Sequence, residues 1–390
     1  MNDIIVLGAS GDIGLQCLDL LRYSFDYRLV GISLSSHFEK LEEYLLSFDS
    51  LLYVAIKEKE ASERFIKKHR AFSHRVFTGE DCNLKLLKAL KHATVFHSIS
   101  GNDGLKPTLL ALKQNQDLLL ANKESIVIGY SLMKPLLKDY QGHIYPVDSE
   151  HVALYKLLKE AKGKKVTSCF ITASGGALRD FKRKDLETVT PEMVLKHPTW
   201  QMSKKITIDS ATMVNKGYEI IEANCLFQRN DVQAKICKSS LIHAGLTYQN
   251  EQGEEVSLVE YSPCDMHVSI AFSLSKGQLG MHKNSSDDLK EIAKIPLSEI
   301  DPDFYPCFTL TGKIFEKYSH FGMIYFNAVD CKAIEAFLDR EITYLEIYQA
   351  LLYTYQHLPT SETLTEENLD RILRDSDQYA CSILADKPWR

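Results

Sequence analysis

The sequence predicts an α/β protein whose first half is a doubly wound parallel sheet, and two observations carry that prediction. A β-branched run, IIVL (4–7), passes through GASGDIG directly into the helical pattern LQCLDLLR. Strand and helix patterns then alternate: VFHSIS (95–100), GLKPTLLALKQ (104–114), DLLLA (117–121), and a helix opened by NKES (122–125). Alternation of that length puts helices on the faces of a parallel sheet. The 390 residues, 45% hydrophobic and 25% charged, suggest two or three domains rather than one.

Composition removes several classes of function. Net charge is −6 and no basic block stands out, which argues against nucleic-acid binding. No apolar run approaches the roughly 20 residues of a membrane helix. The start, MNDIIVLGAS, lacks the basic, apolar and small-residue regions of a secretory signal. Nine scattered cysteines without a C-x-x-C pair read as reduced thiols, so a cytoplasmic location is expected.

Gly8, Gly11 and Gly14 form a G-x-x-G-x-x-G turn between the first strand and helix. A glycine-rich turn needs no ligand, but in this context glycines let backbone N–H groups approach a pyrophosphate at a helix start. The next strand, YRLVGISL (27–34), is followed by Ser35, Ser36 and His37, with no acid before Glu39. An NAD site places a carboxylate there for the ribose 2′-hydroxyl. Its absence removes repulsion against a 2′-phosphate, which the hydroxyls, His37 or Lys40 could meet, so NADP is expected rather than NAD. The same serines would also serve as a plain surface turn.

HIYPVDSEHVALYKLL (143–158) reads as a strand and a helix. In extended backbone Asp148 and Glu150 point to one side, half of a site for a hard cation. His151 reads as a helix-start residue rather than a ligand. KITI (205–208) reads as a strand, with Asp209 or Ser210 capping a helix that runs to about 227. Val214, Tyr218, Ile221 and Cys225 form its buried stripe, and Asn215, Glu219 and Glu222 lie on another face, where charge is ordinarily solvated. Ser210, Asn215 and Lys216 fall near the first turn, where the helix dipole favours an anion. With Glu219 one turn further, the spacing suits a small sugar phosphate held by its tail and chelated at its head. Ser174, in ITASGGALRD (171–180), could donate to the same phosphate. His197, Trp200 and Met202 precede KITI without periodicity and read equally as loose core or as a lid.

In order and separation, GASGDIG, ANKES, PVDSE, ASGG, HPTWQM and DSATMVNKGYEIIEA resemble the 1-deoxy-D-xylulose 5-phosphate reductoisomerase family of the non-mevalonate isoprenoid pathway. The likeness is dense from residue 4 to about 227. It implies a homodimer using NADPH and one Mg²⁺ or Mn²⁺ per subunit, which isomerises deoxyxylulose phosphate to a branched aldehyde and reduces that to methylerythritol phosphate. It implies Asp148, Glu150 and Glu219 as metal ligands and Ser174, Ser210, Asn215 and Lys216 as the phosphate grip. Ser149 and Lys123 would contact substrate, with Lys123 and His197 joining the three carboxylates as catalytic groups. Gly8, Ala9, Ser10, Gly11, Asp12, Ile13, Ser35, Ser36, His37, Asn122 and Glu124 would surround the cofactor, and His197, Trp200 and Met202 would form a flap over substrate.

The implied plan is a Rossmann-like NADPH domain over 1–147, then an α/β catalytic domain over 148–295 with a dimerising sheet. A linker (296–311) and a C-terminal helical bundle (312–390) complete it. After residue 230 the likeness thins. CKSS (237–240) stands where the family has His-Pro-Gln-Ser, CDMH (264–267) puts His267 in place of Arg, and NAVDC (327–331) replaces Asn-Ala-Ala-Asn-Glu. Two other readings are an NADP-dependent reductase of another small sugar phosphate and a diverged, non-catalytic NADP or metabolite sensor. The intact carboxylate set argues against the sensor.

Overall fold

The computed structural model describes residues 2–23, 25, 27–279, 290, 292–358 and 361–390. The chain divides into two compact units: Met1–Ile126, Met133–Val152 and Asp265–Gly280 in one, Val127–Leu132, Ala153–Cys264 and Met281–Arg390 in the other.

The first unit is built on β1 (Asn2–Leu7), α1 (Asp12–Tyr23), β2 (Tyr27–Leu34), α2 (Glu42–Ser47), β3 (Tyr53–Ile56), α3 (Lys59–Lys68), β4 (Val76–Thr78) and α4 (Cys82–Ala89). It continues through β5 (Thr94–His97), α5 (Leu105–Lys113), β6 (Leu118–Leu120), α6 (Lys123–Leu136), β7 (Ile144–Pro146) and the start of α7 (Ser149–Glu160). The seven strands pair in the order β4-β3-β2-β1-β5-β6-β7, every pairing parallel. The expected doubly wound sheet is therefore present. Ile4, Ile5, Val6 and Leu7 are fully buried, as a strand covered on both faces must be. Strand order reverses between β1 and β5, and the crevice above such a switch point is where these sheets take ligands.

His97 closes β5, wholly buried, with Nε2 2.9 Å from the Gly104 carbonyl. Burial holds its pKa down to about 4, against an ordinary 6.5. Above pH 6.5 the ring is neutral in both folded and unfolded chains and this contribution to stability is complete. As pH falls from 6.5 to 4 the unfolded chain binds a proton that the folded chain refuses, so stability drops by about 3 kcal/mol and then levels off. Unfolding free energy measured from pH 7 to 4.5 is expected to fall more steeply in the wild type than in His97→Gln; parallel curves would contradict this.

The second unit contains most of α7, then β8 (Lys165–Ala173), α8 (Pro191–Val194), α9 (Lys204–Thr212), α10 (Val214–Leu226), β9 (Val232–Ile236), β10 (Ile242–Gln249) and β11 (Glu255–Tyr261). The chain returns to the first unit in α11 (Met266–Leu274), whose Ile270 and Leu274 pack in the core that holds Leu18 and Leu21. It ends in the second unit with three helices, α12 (Pro306–Leu338), α13 (Tyr344–His357) and α14 (Glu366–Asp386), matching the helical patterning of the C-terminal segment. The four-stranded sheet runs β11-β10-β8-β9, with β8–β9 parallel and the other pairs antiparallel. Ala153, Leu154 and Leu157 of α7 and Ala223 of α10 bury against Cys169, Ile171 and Leu246 of this sheet.

Three local expectations are corrected. KITI is helical, not extended: α9 starts after Ser203, whose side chain accepts from the Ile206 N–H. Isoleucine and threonine favour strands, but Thr207, Ile208 and Ala211 fall on one buried helical face, and tertiary burial outweighs that preference. Asp209 and Ser210 cap nothing; they lie in the last turn of α9, and a second helix begins after Met213, held left-handed at φ 65°. Asp148 and Glu150 do not share an extended segment either, since β7 ends at Pro146 and Glu150 sits in the first turn of α7.

Candidate active site

In the first unit the glycine turn follows β1. The Gly8 N–H donates to Ser33 Oγ at 3.2 Å and the Ala9 N–H to the Ser33 carbonyl at 2.7 Å, tying the turn to the end of β2. Gly8 has φ 75°, and a Cβ there would lie 2.6 Å from the Ser98 carbonyl oxygen. Ser10 and Gly11 complete the turn, and Asp12 and Ile13 open α1. Ser35 and His37 are exposed after β2, and Ser36 is half-buried.

One neighbour escaped the sequence reading. The Glu58 N–H donates to the Ser35 carbonyl at 3.1 Å, and Ser35 Oγ lies 3.5 Å from Glu58 Oε1. A carboxylate therefore flanks this loop after all, supplied from the end of β3; the β2–β3 pairing was the only signal that could have revealed it. Asn122 caps α6, accepting from the Ser125 N–H at 2.9 Å, and its Nδ2 donates to the carbonyls of Ile99 at 2.7 Å and Gly101 at 3.0 Å. Glu124 Oε1 accepts from the Gly101 N–H at 3.2 Å, so both residues fix the segment after β5 rather than standing clear of it.

Asp148 precedes α7 and accepts from the Glu150 N–H at 3.2 Å. Its Oδ1 also lies 2.9 Å from Nδ1 of the buried His151, and its Oδ2 accepts from Lys123 Nζ at 3.2 Å. His151 lies in the first turn of α7, as expected, and holds Asp148 from there. Ser149 Oγ donates to Glu150 Oε2 at 2.7 Å.

In the second unit β8 ends in the Ser174-Gly175-Gly176 turn. The Gly176 N–H donates to Ser174 Oγ at 3.0 Å, and a Cβ on Gly176 would lie 2.5 Å from the Ala211 Cα, so only glycine lets this turn sit against α9. His197 joins the two: its Nε2 is 2.9 Å from Ser174 Oγ and 3.4 Å from Ser210 Oγ. Its Nδ1 accepts the N–H groups of Trp200 at 2.9 Å and Thr199 at 3.3 Å, which assigns the ring proton to Nε2. Burial, then the nearby Arg179 charge, lowers its pKa to about 4, so the ring is a neutral donor.

Residues 196–203 have no regular structure, and Trp200 and Met202 are half-buried. The Trp200 ring centre lies 6.1 Å from that of His243, and the Thr199 and Ser240 hydroxyls are 3.0 Å apart, partners the sequence did not suggest.

On α10, Asn215 Nδ2 donates to Glu219 Oε1 at 2.5 Å and Lys216 Nζ pairs with Glu219 Oε2. Lys216, Glu219 and Glu222 are buried, not solvated as a charged helix face ordinarily is. Asp148, Glu150 and Glu219 each offer a carboxylate oxygen, and these atoms lie within 4.8 Å of one another. Three carboxylates form an all-oxygen, strongly anionic donor set, which suits a hard divalent cation and not a thiophilic one.

A doubly wound sheet with a glycine turn at its switch point, in a chain that also groups three carboxylates, defines a class: oxidoreductases that combine a dinucleotide with a hard cation. Family models narrow it. Residues 4–129 match 1-deoxy-D-xylulose 5-phosphate reductoisomerase, residues 144–227 its C-terminal domain, and residues 261–380 the DXP reductoisomerase C-terminal domain. The chain belongs to the 1-deoxy-D-xylulose 5-phosphate reductoisomerase family. It is 33% identical to the reductoisomerase of Macrococcus caseolyticus over 384 residues, 97% of this chain and 98% of that one. It is 34% identical to that of Thermotoga neapolitana over 373 residues, 93% and 92% of the two chains. Among solved structures it resembles the Zymomonas mobilis reductoisomerase in complex with NADPH, with TM-score 0.82, 27% identity, and 98% and 99% of the chains covered. It also resembles a reductoisomerase in complex with NADPH, fosmidomycin and magnesium, with TM-score 0.84, 25% identity, and 99% and 98% covered.

Proposed function

We propose that this chain converts 1-deoxy-D-xylulose 5-phosphate to 2-C-methyl-D-erythritol 4-phosphate in isoprenoid precursor biosynthesis, with NADPH and Mg²⁺ or Mn²⁺. The observation that carries the reading is the grouping of Asp148, Glu150 and Glu219 in a chain that aligns along 97% of its length with a reductoisomerase. Bound there, a divalent cation would supply Lewis acidity to the substrate's hydroxyl and carbonyl oxygens. NADPH would supply the hydride.

The remaining roles fall to the chain's own side chains. Ser174, Ser210, Asn215 and Lys216 bind the substrate phosphate. His197, neutral through the working pH range, presents its Nε2–H beside the two serine hydroxyls, which orients them toward an anion without adding a titrating charge. Lys123 and Ser149 contact the reacting end, where Lys123 Nζ donates to Asp148 Oδ2. Trp200 and Met202 close over the substrate and exclude water. The glycine turn from Gly8 to Ile13, with Asn122 and Glu124, holds the dinucleotide, and Ser35, Ser36 and His37 meet the 2′-phosphate.

The domain roles follow: residues 1–147 bind NADPH, 148–295 carry the metal, substrate and flap, 296–311 link, and 312–390 form the helical end. We further propose a cytoplasmic homodimer, joined through the sheet whose edge strand is β11. Among the described residues no helix is long and apolar enough to cross a membrane.

Ser174→Ala tests the phosphate assignment. Losing one charge-assisted hydrogen bond is worth about 1.5–3 kcal/mol, so KM for the sugar phosphate is expected to rise roughly 10- to 100-fold with kcat nearly unchanged. An unchanged KM would remove Ser174 from the site. A panel of small keto-sugar phosphates tests the substrate: only the deoxyxylulose phosphate should drive NADPH oxidation efficiently, and a better substrate in the panel would replace it.

A further inference from the structure

Ser210, Asn215, Lys216 and Glu219 all ride on one elbow, α9 and α10 joined at Met213 alone. A single residue in the left-handed region fixes the joint but leaves the arms needing support from outside. That support comes from α12, which reaches each arm with one polar side chain. Asn327 Oδ1 accepts from the Tyr218 hydroxyl of α10 at 3.2 Å. Asp330 Oδ2 accepts from Lys205 Nζ of α9 at 2.9 Å, and the same ammonium binds Asp209 Oδ2 at 2.6 Å. Residues 327 and 330 are neighbours on one helical face.

The contacts are buried: Asp330 is 0% exposed, Asn327 1%, Tyr218 2% and Asp209 3%. Two carboxylates share one ammonium there, and among the described residues no hydrogen bond satisfies the second oxygen of either Asp209 or Asp330. Burial, and next the Asp330 charge, push the Asp209 carboxyl upward, while the charges of Asp209 and Asp330 hold the Lys205 proton against the effect of burial. Replacing such a cluster with apolar side chains is often neutral or favourable for stability, whereas removing one member strands the others. Buried polar groups of this kind are best attested as devices that fix register.

We infer that Asn327 and Asp330 are positioning residues, which set the register of α9 and the angle of α10 and so place the phosphate- and metal-binding side chains of the elbow. The inference rests on the phosphate and metal roles proposed above. Each acts through Lys205 or Tyr218.

The test is steady-state kinetics on the full-length enzyme with deoxyxylulose phosphate, NADPH and Mn²⁺. Asp330→Ala is expected to raise KM for the sugar phosphate and the Mn²⁺ concentration for half-activation about 10- to 100-fold each, since an ångström of misplacement costs on that order. KM for NADPH should stay within about twofold, because the glycine turn belongs to the other unit. Asp330→Asn, which keeps an oxygen acceptor for Lys205, should recover most of the loss. Tyr218→Phe removes only the Asn327 hydrogen bond and is expected to raise both values a few-fold; it remains informative if Asp330→Ala fails to fold. A lower melting temperature with unchanged KM and Mn²⁺ response would overturn the inference and leave a purely structural cluster. Lys216→Ala separates this from the underlying reading. If it raises KM while Asp330→Ala and Tyr218→Phe do not, the positioning role alone fails. If Lys216→Ala leaves KM unchanged, the phosphate assignment fails and takes the inference with it.

Discussion

Glu219→Gln is expected to lower kcat about a thousandfold, roughly 4 kcal/mol of transition-state stabilisation, while leaving NADPH binding intact. The substitution preserves shape and removes one of the three carboxylates grouped within 4.8 Å. It also disturbs the carboxylate's local partners. Asn215 Nδ2 donates to one Glu219 oxygen and Lys216 Nζ forms an ion pair with the other. A glutamine amide offers one oxygen, so one buried donor must face an NH₂ group. The variant should therefore bind Mn²⁺ more weakly by electron spin resonance, in parallel with its activity. A kcat within tenfold of the wild type at saturating Mn²⁺ would remove Glu219 from the metal site.

Gly14→Ala is expected to be nearly as damaging by a different route. A Cβ at residue 14 would lie 2.4 Å from the Gly8 carbonyl oxygen and 2.8 Å from the Ala9 Cα, both backbone atoms that cannot swing aside. The turn between β1 and α1 must open, which moves the helix start away from a bound pyrophosphate. The expected result is NADPH affinity reduced about 100-fold and stability lowered by about 1–3 kcal/mol. Gly312→Ala is the control. Among the described residues, nothing beyond its own helix and chain neighbours lies within 4 Å of its added Cβ, and it sits inside α12, so it should gain up to about 1 kcal/mol of stability with no change in NADPH affinity. Equal NADPH affinity in Gly14→Ala and the wild type would contradict the cofactor assignment.

The parallel sheet was legible because its signals are local: β-branched runs such as IIVL, a glycine turn, and helices of the length a crossover needs. Asp148, Glu150 and Glu219 were likewise visible as residues, since their types and neighbours suit a cation. What sequence could not supply was how their environment differs from the ordinary one. Glu219 and Glu222 look like part of a solvated helix face, yet they are buried, which pairing such as Lys216 with Glu219 permits. KITI looks like a strand because isoleucine and threonine favour one. It is a helix because Thr207, Ile208 and Ala211 are buried together and because Lys205 finds Asp209 one turn on and Asp330 from a distant helix. Such partners lie 125 positions apart in the chain and leave no local trace. Glu58 beside Ser35 was missed for the same reason, as strand pairing alone brings them together.

The central claim is that this chain performs a metal-dependent reductive isomerisation of a sugar phosphate, and product formation tests it most directly. Purified protein should be stripped of metal with a chelator, supplied with NADPH and deoxyxylulose phosphate, and assayed before and after Mn²⁺ is added. No turnover is expected before addition and, after it, one methylerythritol phosphate formed for each NADPH oxidised. Folded protein that binds NADPH and Mn²⁺ but forms no methylerythritol phosphate would contradict it.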